Sequence, residues 1–180
     1  MTVPLLRAAT PTDHDALAAL KLRTFRETFL EDFKIPYPPA DLAVFEHASY
    51  APENVARELV DPAKRTWVVE ADGVLLGYAH IGPSKLPHHD ITSKSGELYQ
   101  IYVTRAAQGS GIGRLLLTHA LRELTELYPG PIWLGVWSGN LRAQAVYRKL
   151  GFAQVGTYQF PVGNWRDDEL IFQRDTDMVR

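Results

Sequence analysis

Gly109, Gly111 and Gly113 stand in the run Ile101–Arg114, where an apolar stretch passes through a glycine-rich turn into a strongly periodic segment. Residue types in that order could hold a phosphate. Glycine removes side chains that block backbone approach, and the first unpaired N–H groups of a helix point at the ligand, with the helix dipole favouring its negative charge. Two familiar phosphate patterns do not fit. A Walker loop needs Lys-Ser or Lys-Thr where this chain has Arg114. A dinucleotide fingerprint needs its third glycine one residue later than Gly113, and the next strand, Ile132–Trp137, ends in Ser138 rather than in an acid for a ribose.

What remains is a Gln or Arg, two residues, Gly, one residue, then Gly or Ala, met here by Gln108, Gly111 and Gly113. Downstream, Asn140, Ala143, Tyr147, Lys149, Gly151 and Phe152 keep the spacing N-x-x-A-x-x-x-Y-x-K-x-G-F. With both segments in this order, the chain resembles the GNAT superfamily of acyl-CoA N-acyltransferases over essentially its whole length. Within it, Arg23–Phe29, Glu97–Val103 and Trp133–Trp137 are most similar to the bacterial polyamine acetyltransferases. The resemblance implies acetyl-CoA as cosubstrate and a small amine such as spermidine as acceptor. It further implies that Gln108, Gly109, Ser110, Gly111, Ile112, Gly113 and Arg114 carry the pyrophosphate. The pantetheine arm would lie along the backbone of Ile101, Tyr102 and Val103 like an added strand, where one N–H could polarise the thioester carbonyl. Gln108 is a departure, because the motif often begins with a basic residue; Arg114 or Arg105 would compensate, or either is a solvated surface residue.

An alkyl amine with a pKa of about 10.4 is protonated at neutral pH, so it must lose a proton before it attacks a thioester. Strict alternation along the strand puts Glu97, Tyr99, Ile101 and Val103 on one face and Leu98, Gln100 and Tyr102 on the other. Glu97 is a base acting through water if its face lines the acceptor cleft, and a solvated strand-start residue if it does not. The leaving thiolate needs a proton, which a phenol can donate. Tyr147 matches the family's general acid in motif position, the alternative being a core tyrosine. Asn140 either caps the helix that follows it or binds pantetheine.

These groups need a scaffold. Val3–Ala8 reads as a strand, and Thr10–Asp13 as the start of a helix running to about Leu30, with proline at its first position. Two shorter helices, 40–48 and 52–60, follow the break at Tyr37–Pro39. Strands are expected at Thr66–Glu70, Val74–Ile81 and Glu97–Val103, with an irregular surface loop at Pro83–Ser95. A helix from Ile112 carries apolar residues at 112, 115, 116, 120, 124 and 127. Ile132–Trp137 reads as a buried strand, Leu141–Leu150 as a helix ended by Gly151, and 152–162 with 165–173 as a hairpin around Gly163-Asn164. The order is that of an α/β (α+β) fold: one domain over 1–180, with a mixed central sheet of about seven strands flanked by helices.

Composition narrows the function. The chain has 180 residues, 46% hydrophobic and 22% charged, enough for one core, and its formal charge of −2 offers no basic footprint for nucleic acid or an anionic membrane. No apolar run reaches spanning length, and Met1–Arg7 lacks a signal-type core, so a cytoplasmic location is expected. With no cysteine there is no disulfide, thiolate metal site or acyl-cysteine intermediate, and acetyl should pass directly to the acceptor. His88-His89-Asp90 is read as a flexible loop and not as a metal site, because adjacent histidines diverge. Glu27, Glu31 and Asp32 are read as a solvated helix face. The expected partner is a small-molecule amine, bound by a monomer or homodimer. The alternatives are acetylation of a protein N-terminus or lysine, which prefers an open groove, and a non-catalytic acyl-CoA sensor, against which Tyr147 and the glycine turn count.

Overall fold

The strands β1 (Leu5–Ala8), β2 (Arg65–Ala71), β3 (Val74–Pro83), β4 (Gly96–Val103), β5 (Ile132–Trp137), β6 (Ala153–Val162) and β7 (Trp165–Arg174) form one sheet in the spatial order β1-β2-β3-β4-β5-β7-β6. The computed structural model describes residues 3–176; Met1 and Thr2, at the head of the segment read for a targeting signal, and Asp177–Arg180 lie outside them. Every pairing is antiparallel except β4 with β5. A parallel pair needs a crossover, and helix α4 (Ile112–Leu127) supplies it.

Helix α1 (His14–Phe25) begins after a turn at Pro11–Asp13, where the Asp13 carboxylate accepts from the Thr10 N–H at 2.7 Å and its hydroxyl at 2.9 Å. From Arg26 to Asp32 the helix widens to π geometry; the Phe33 N–H donates to the Thr28 carbonyl, five residues back, at 3.0 Å. Helices α2 (Pro39–Tyr50) and α3 (Pro52–Val60) each start with proline, whose missing N–H costs nothing in a first turn. Helix α5 (Leu141–Lys149) ends before Gly151, which takes φ +86°.

Two apolar layers sandwich the sheet. On one face Ile112, Leu116, Ala120, Leu121 and Leu124 of α4 pack on Trp67, Ala79, Ile81, Leu98, Ile132, Leu134 and Phe172. The helical spacing located this stripe, with two differences: Leu121 is buried, whereas Leu115 and Leu127 face solvent. Fully burying Leu116 contributes roughly 1.5–3 kcal/mol relative to leaving it exposed. On the other face, Leu17, Ala18 and Leu20 of α1 and Val55 of α3 cover Val68 and Tyr78. An aromatic cluster of Phe25, Tyr37 and Tyr50 continues this layer towards the β6–β7 hairpin.

One irregularity changes which side chains reach the site. Ile81 pairs with Leu98 and His80 with Gln100, so Tyr99 is an extra residue bulging out of β4. Alternation therefore breaks at Tyr99. Leu98, Ile101 and Val103 all face α4, and Tyr102 packs beside Tyr78 on the opposite face. Glu97 consequently shares a face with Gln100 and Tyr102, and not with Ile101 and Val103 as strict alternation predicts.

Candidate active site

β4 and β5 pair only at Gly96 with Ile132 and Glu97 with Trp133, then separate. Beyond that point β5 keeps β7 as its other neighbour, so the sheet opens into a V between Ile101–Val103 and Gly135–Trp137. A cleft of about 500 Å³ passes through the V, lined by Ile101, Asn140 and Tyr147 at one side and by Glu97, Tyr102, Tyr158 and Glu169 at the other. Segments from α1, α2 and the β6–β7 hairpin close over the second side through Phe29, Phe45 and Phe160.

The glycine turn lies at the head of α4. Gly109 and Gly111 take φ +79° and +90°, with open space where a side chain would go, and Gly111 is the residue that opens the helix. Ile112, Gly113 and Arg114 follow in the first turn, whose N–H groups have no preceding helical carbonyl to reach. Gln108 and Arg114 are exposed beside them. The Ser110 hydroxyl and N–H both donate to the Ala107 carbonyl, at 2.5 and 3.4 Å, which commits this residue to closing the turn.

Arg105 is not free to compensate for Gln108. Its guanidinium donates to Glu31 Oε2 at 2.6 Å, Asp32 Oδ1 at 2.7 Å and the Glu27 carbonyl at 3.0 Å, and its N–H to Glu27 Oε2 at 2.8 Å. The acids expected to be a solvated face instead tie the π-helical segment to Arg105, just ahead of the glycine turn. A second correction concerns His88 and His89, whose rings do not diverge: they stack at 4.5 Å because His88 packs on Trp133, and with Asp90 their ligand atoms fall within 4.8 Å of one another. The Pro83–Ser95 loop is accordingly less loose than its composition predicts; Leu86 and Ile91 pack against Trp133 and Ile171, and Ser95 is fully buried.

Tyr147 is buried against Phe152 and Phe172, with burial pushing its phenol up to about 12, so at neutral pH it holds the proton that a donor needs. Asn140 does cap α5, its Oδ1 accepting from the Ala143 N–H at 3.0 Å, while it lines the cleft. Glu97 is buried, and burial raises its pKa. Its Oε2 accepts from the Lys85 N–H at 2.8 Å and the Ser84 hydroxyl at 3.2 Å, bonds that fasten the start of the 84–95 loop.

Sequence reading missed Glu169. It lies opposite Trp137 on one side and Tyr158 on the other, on the cleft face of β7. Its Oε2 accepts from the Tyr158 hydroxyl at 2.7 Å, and burial, followed by repulsion from Asp167 and Glu97, raises its pKa to about 7 against the opposing Tyr158 hydrogen bond. A signal was present at Gly135. A Cβ there would fall 2.6 Å from the Tyr158 hydroxyl and 2.8 Å from Glu169 Oε2, and glycine inside an apolar strand marks such an approach.

The site thus combines a splayed parallel pair, a left-handed glycine turn on the crossover helix and a buried tyrosine beside the opening. The family model described as the acetyltransferase (GNAT) family matches residues 22–152. The chain belongs to the GNAT acetyltransferase family. It is an N-acetyltransferase of the GNAT type, and the open glycine turn and the V fit the expected acetyl-CoA cosubstrate. Among curated relatives, a streptothricin acetyltransferase of Streptomyces lavendulae is 31% identical over 160 residues, covering 83% of this chain and 82% of its own. A spermine/spermidine N(1)-acetyltransferase of Bacillus subtilis is 29% identical over 92 residues, 49% of this chain and 59% of its own. Among solved structures, the PaiA N-acetyltransferase of Thermoplasma acidophilum in complex with coenzyme A matches with TM-score 0.75 and 18% identity over 97% of this chain and 99% of its own. That likeness is one of fold. No helix among the described residues is long and apolar enough to cross a membrane.

Proposed function

We propose that this GNAT enzyme acetylates a primary amine of a small, cationic molecule, a polyamine being the leading class. The observation carrying this reading is the charge and shape of the cleft. Glu58, Glu97, Asp167 and Glu169 line it, against Lys85 as its single lining lysine among the described residues. Aromatic rings of Phe25, Tyr37 and Tyr50 complete its wall, surfaces on which a cation is stabilised by the ring quadrupoles. The Gln100 side-chain oxygen is buried in this region without a hydrogen-bond partner among the described residues, an acceptor suited to an ammonium N–H.

In this reading, acetyl-CoA supplies the activated acetyl group, its pyrophosphate held by the turn from Gln108 to Arg114. Backbone groups of Ile101, Tyr102 and Val103 receive the pantetheine arm, Asn140 and Tyr147 meet its thiol end, and Tyr147 gives its proton to the departing sulfur. Glu97 and Glu169 face the cleft as the candidate bases. Closure by α1, α2 and the β6–β7 hairpin favours a small acceptor over a folded protein surface.

The absence of cysteine gives a clean background for measuring free thiol release from acetyl-CoA. Spermidine, spermine, streptothricin, amino acids and an N-terminal peptide form the test panel. Release with the polycations and not with the peptide supports the proposal; preference for the peptide reverses it. Binding of acetyl-CoA without release on any acceptor would favour the non-catalytic sensor.

A further inference from the structure

We propose that Glu169 is the catalytic base of this enzyme, its carboxylate taking the proton from the acceptor's ammonium group as the nitrogen enters the opening between β4 and β5. This rests on acetyl transfer to a protonated amine, and assigns to β7 the role that sequence reading gave to Glu97.

Two observations separate the two carboxylates, and a third, which both share, sets them apart from the proton donor to sulfur. The first is occupancy. Glu97 accepts through Oε2 from both the Lys85 N–H and the Ser84 hydroxyl, which fastens its carboxylate to the 84–95 loop. Glu169 takes a single hydrogen bond from the described residues, at Oε2 from the Tyr158 hydroxyl. The second is position. Glu97 lies where β4 and β5 are still paired, at the closed end of the V, whereas Glu169 lies directly over Gly135, where the strands have parted. The third is sidedness. Tyr147 belongs to the core on the α4 face of the sheet, and Glu169 lies on the opposite face, among Tyr158, Trp137 and Asp167. An amine meeting a thioester held in the V therefore has the acceptor of its proton on its own side and the donor to sulfur on the far side.

The protons and electrons balance across this arrangement. The ammonium gives one proton to Glu169, and the freed nitrogen lone pair forms the C–N bond. The C–S bond breaks with its electron pair leaving on sulfur. The second nitrogen proton restores Tyr147 after that residue has protonated the sulfur, and Glu169 returns its proton to solvent. The electrostatic setting suits a base working near neutrality. The titratable groups facing Glu169 are Tyr158 on β6, Asp167 on β7, Glu97 and Tyr102 on β4, and Tyr37 ahead of α2; β5 contributes Gly135. No cation is among them. Burial and the two neighbouring acids raise the Glu169 pKa to about 7, and the Tyr158 hydroxyl is what restrains it.

The test is the pH profile of kcat/KM, from thiol release with the best amine of the panel, for the wild type and three variants. For the wild type the expected rise levels off near the Glu169 pKa of about 7, well below the amine's own titration at about 10.4. Glu169→Gln keeps a hydrogen bond to Tyr158 and is expected to lose this limb, with a fall of about 10²–10⁴-fold, while acetyl-CoA affinity by calorimetry stays unchanged. Tyr158→Phe removes the one group that restrains the pKa and is expected to remain active with the limb moved to higher pH, a shift that a purely structural Glu169 would not give. Glu97→Gln is expected to keep the limb, in place or slightly lower. A Glu169→Gln enzyme with the wild-type limb overturns the assignment alone, as does loss of the limb in Glu97→Gln. Loss of acetyl-CoA affinity in Glu169→Gln also overturns it, since the residue then shapes the cleft. No release by the wild type on any acceptor removes the acetyl-transfer reading and this proposal together.

Discussion

Changing Gly111 and Gly113 of the glycine turn to alanine should separate two residues that look equivalent in the sequence. Gly111 opens α4 at φ +90° with nothing within 4 Å of an added Cβ, so Gly111→Ala creates no clash and tests backbone strain alone. A non-glycine residue in left-handed geometry costs roughly 1–2 kcal/mol, which for a chain of this size lowers Tm by roughly 2–8 °C. Gly113 lies in the first turn of the helix, and an added Cβ would rest 3.6 Å from Val103 Cγ2, an ordinary contact. Gly113→Ala should gain about 0.4–1 kcal/mol from the smaller entropy of the unfolded chain, so its Tm holds or rises by roughly 1–4 °C. Ligand binding separates them again. The methyl at 111 enters the open side of the turn, so the thermal shift produced by coenzyme A should shrink in Gly111→Ala; at 113 it points at β4, and the shift should survive. Differential scanning fluorimetry with and without coenzyme A reads both quantities. Equal destabilisation by the two substitutions, or an undiminished coenzyme A shift in Gly111→Ala, would refute the argument that backbone sign and not side-chain space makes this turn.

Tyr147→Phe should lower kcat by about 10²–10⁴-fold with little change in acetyl-CoA affinity, the loss expected of a missing proton donor; a matching loss of affinity would mean the hydroxyl only positions the thiol. Lys21, buried at 1% exposure, donates its Nζ to the half-exposed Glu58 and sits 5.7 Å from the Tyr78 ring centroid. Glu58→Gln strands that ammonium and should cost about 3–5 kcal/mol in urea unfolding, more than Lys21→Met, which leaves an acid that can reach water; the reverse order would place the burial penalty on the wrong partner. Glu169 should also make stability fall with pH. Its folded pKa of about 7 lies above the ordinary 4.5, so between those values the folded state keeps a proton the unfolded state has lost. Stability then declines by up to about 1.4 kcal/mol per pH unit across that window and levels off above it. The slope should be smaller in Glu169→Gln, as urea midpoints between these pH values will show.

Most of the fold was legible because its signals are local. Pro39 and Pro52 open helices, Gly151 closes one, and the 3.6-residue spacing from Ile112 locates the stripe that buries Leu116 and Leu124. The glycine turn and Tyr147 were legible because motif spacing and local geometry coincide there. What failed was non-local. The bulge at Tyr99 depends on register with β3, and it turned Glu97 onto the face of Tyr102. Arg105 could not be separated from a solvated arginine because its acidic partners lie more than 70 residues earlier in the chain. Glu169 carried no motif of its own, and its closeness to Gly135 depends on the pairing of β5 with β7.

The break in strand pairing gives the proposed cofactor binding and proton transfer one place to meet. In an antiparallel ladder, alternate residues of β4 direct their backbone groups away from β3, and beyond Glu97 those groups find no strand on the β5 side. Unpaired backbone polar groups in a covered region are costly, so this edge of Ile101–Val103 is stabilised by an extended partner able to complete the ladder. β5 is not that partner, because beyond Trp133 it parts from β4 and stays paired with β7 alone. The same divergence lets residues from both faces of the sheet approach one opening, which a closed sheet would forbid. Tyr147 comes from the helical layer behind β5, Glu169 from the acidic face in front of it, and Gly135 leaves space for the carboxylate between them. Filling that space is therefore more damaging than removing an ordinary wall residue. In Gly135→Ala the Tyr158 hydroxyl and Glu169 Oε2 must both move, which misplaces the proposed base, while coenzyme A affinity should hold if the turn at Gly109–Gly113, on a different element, carries it as proposed.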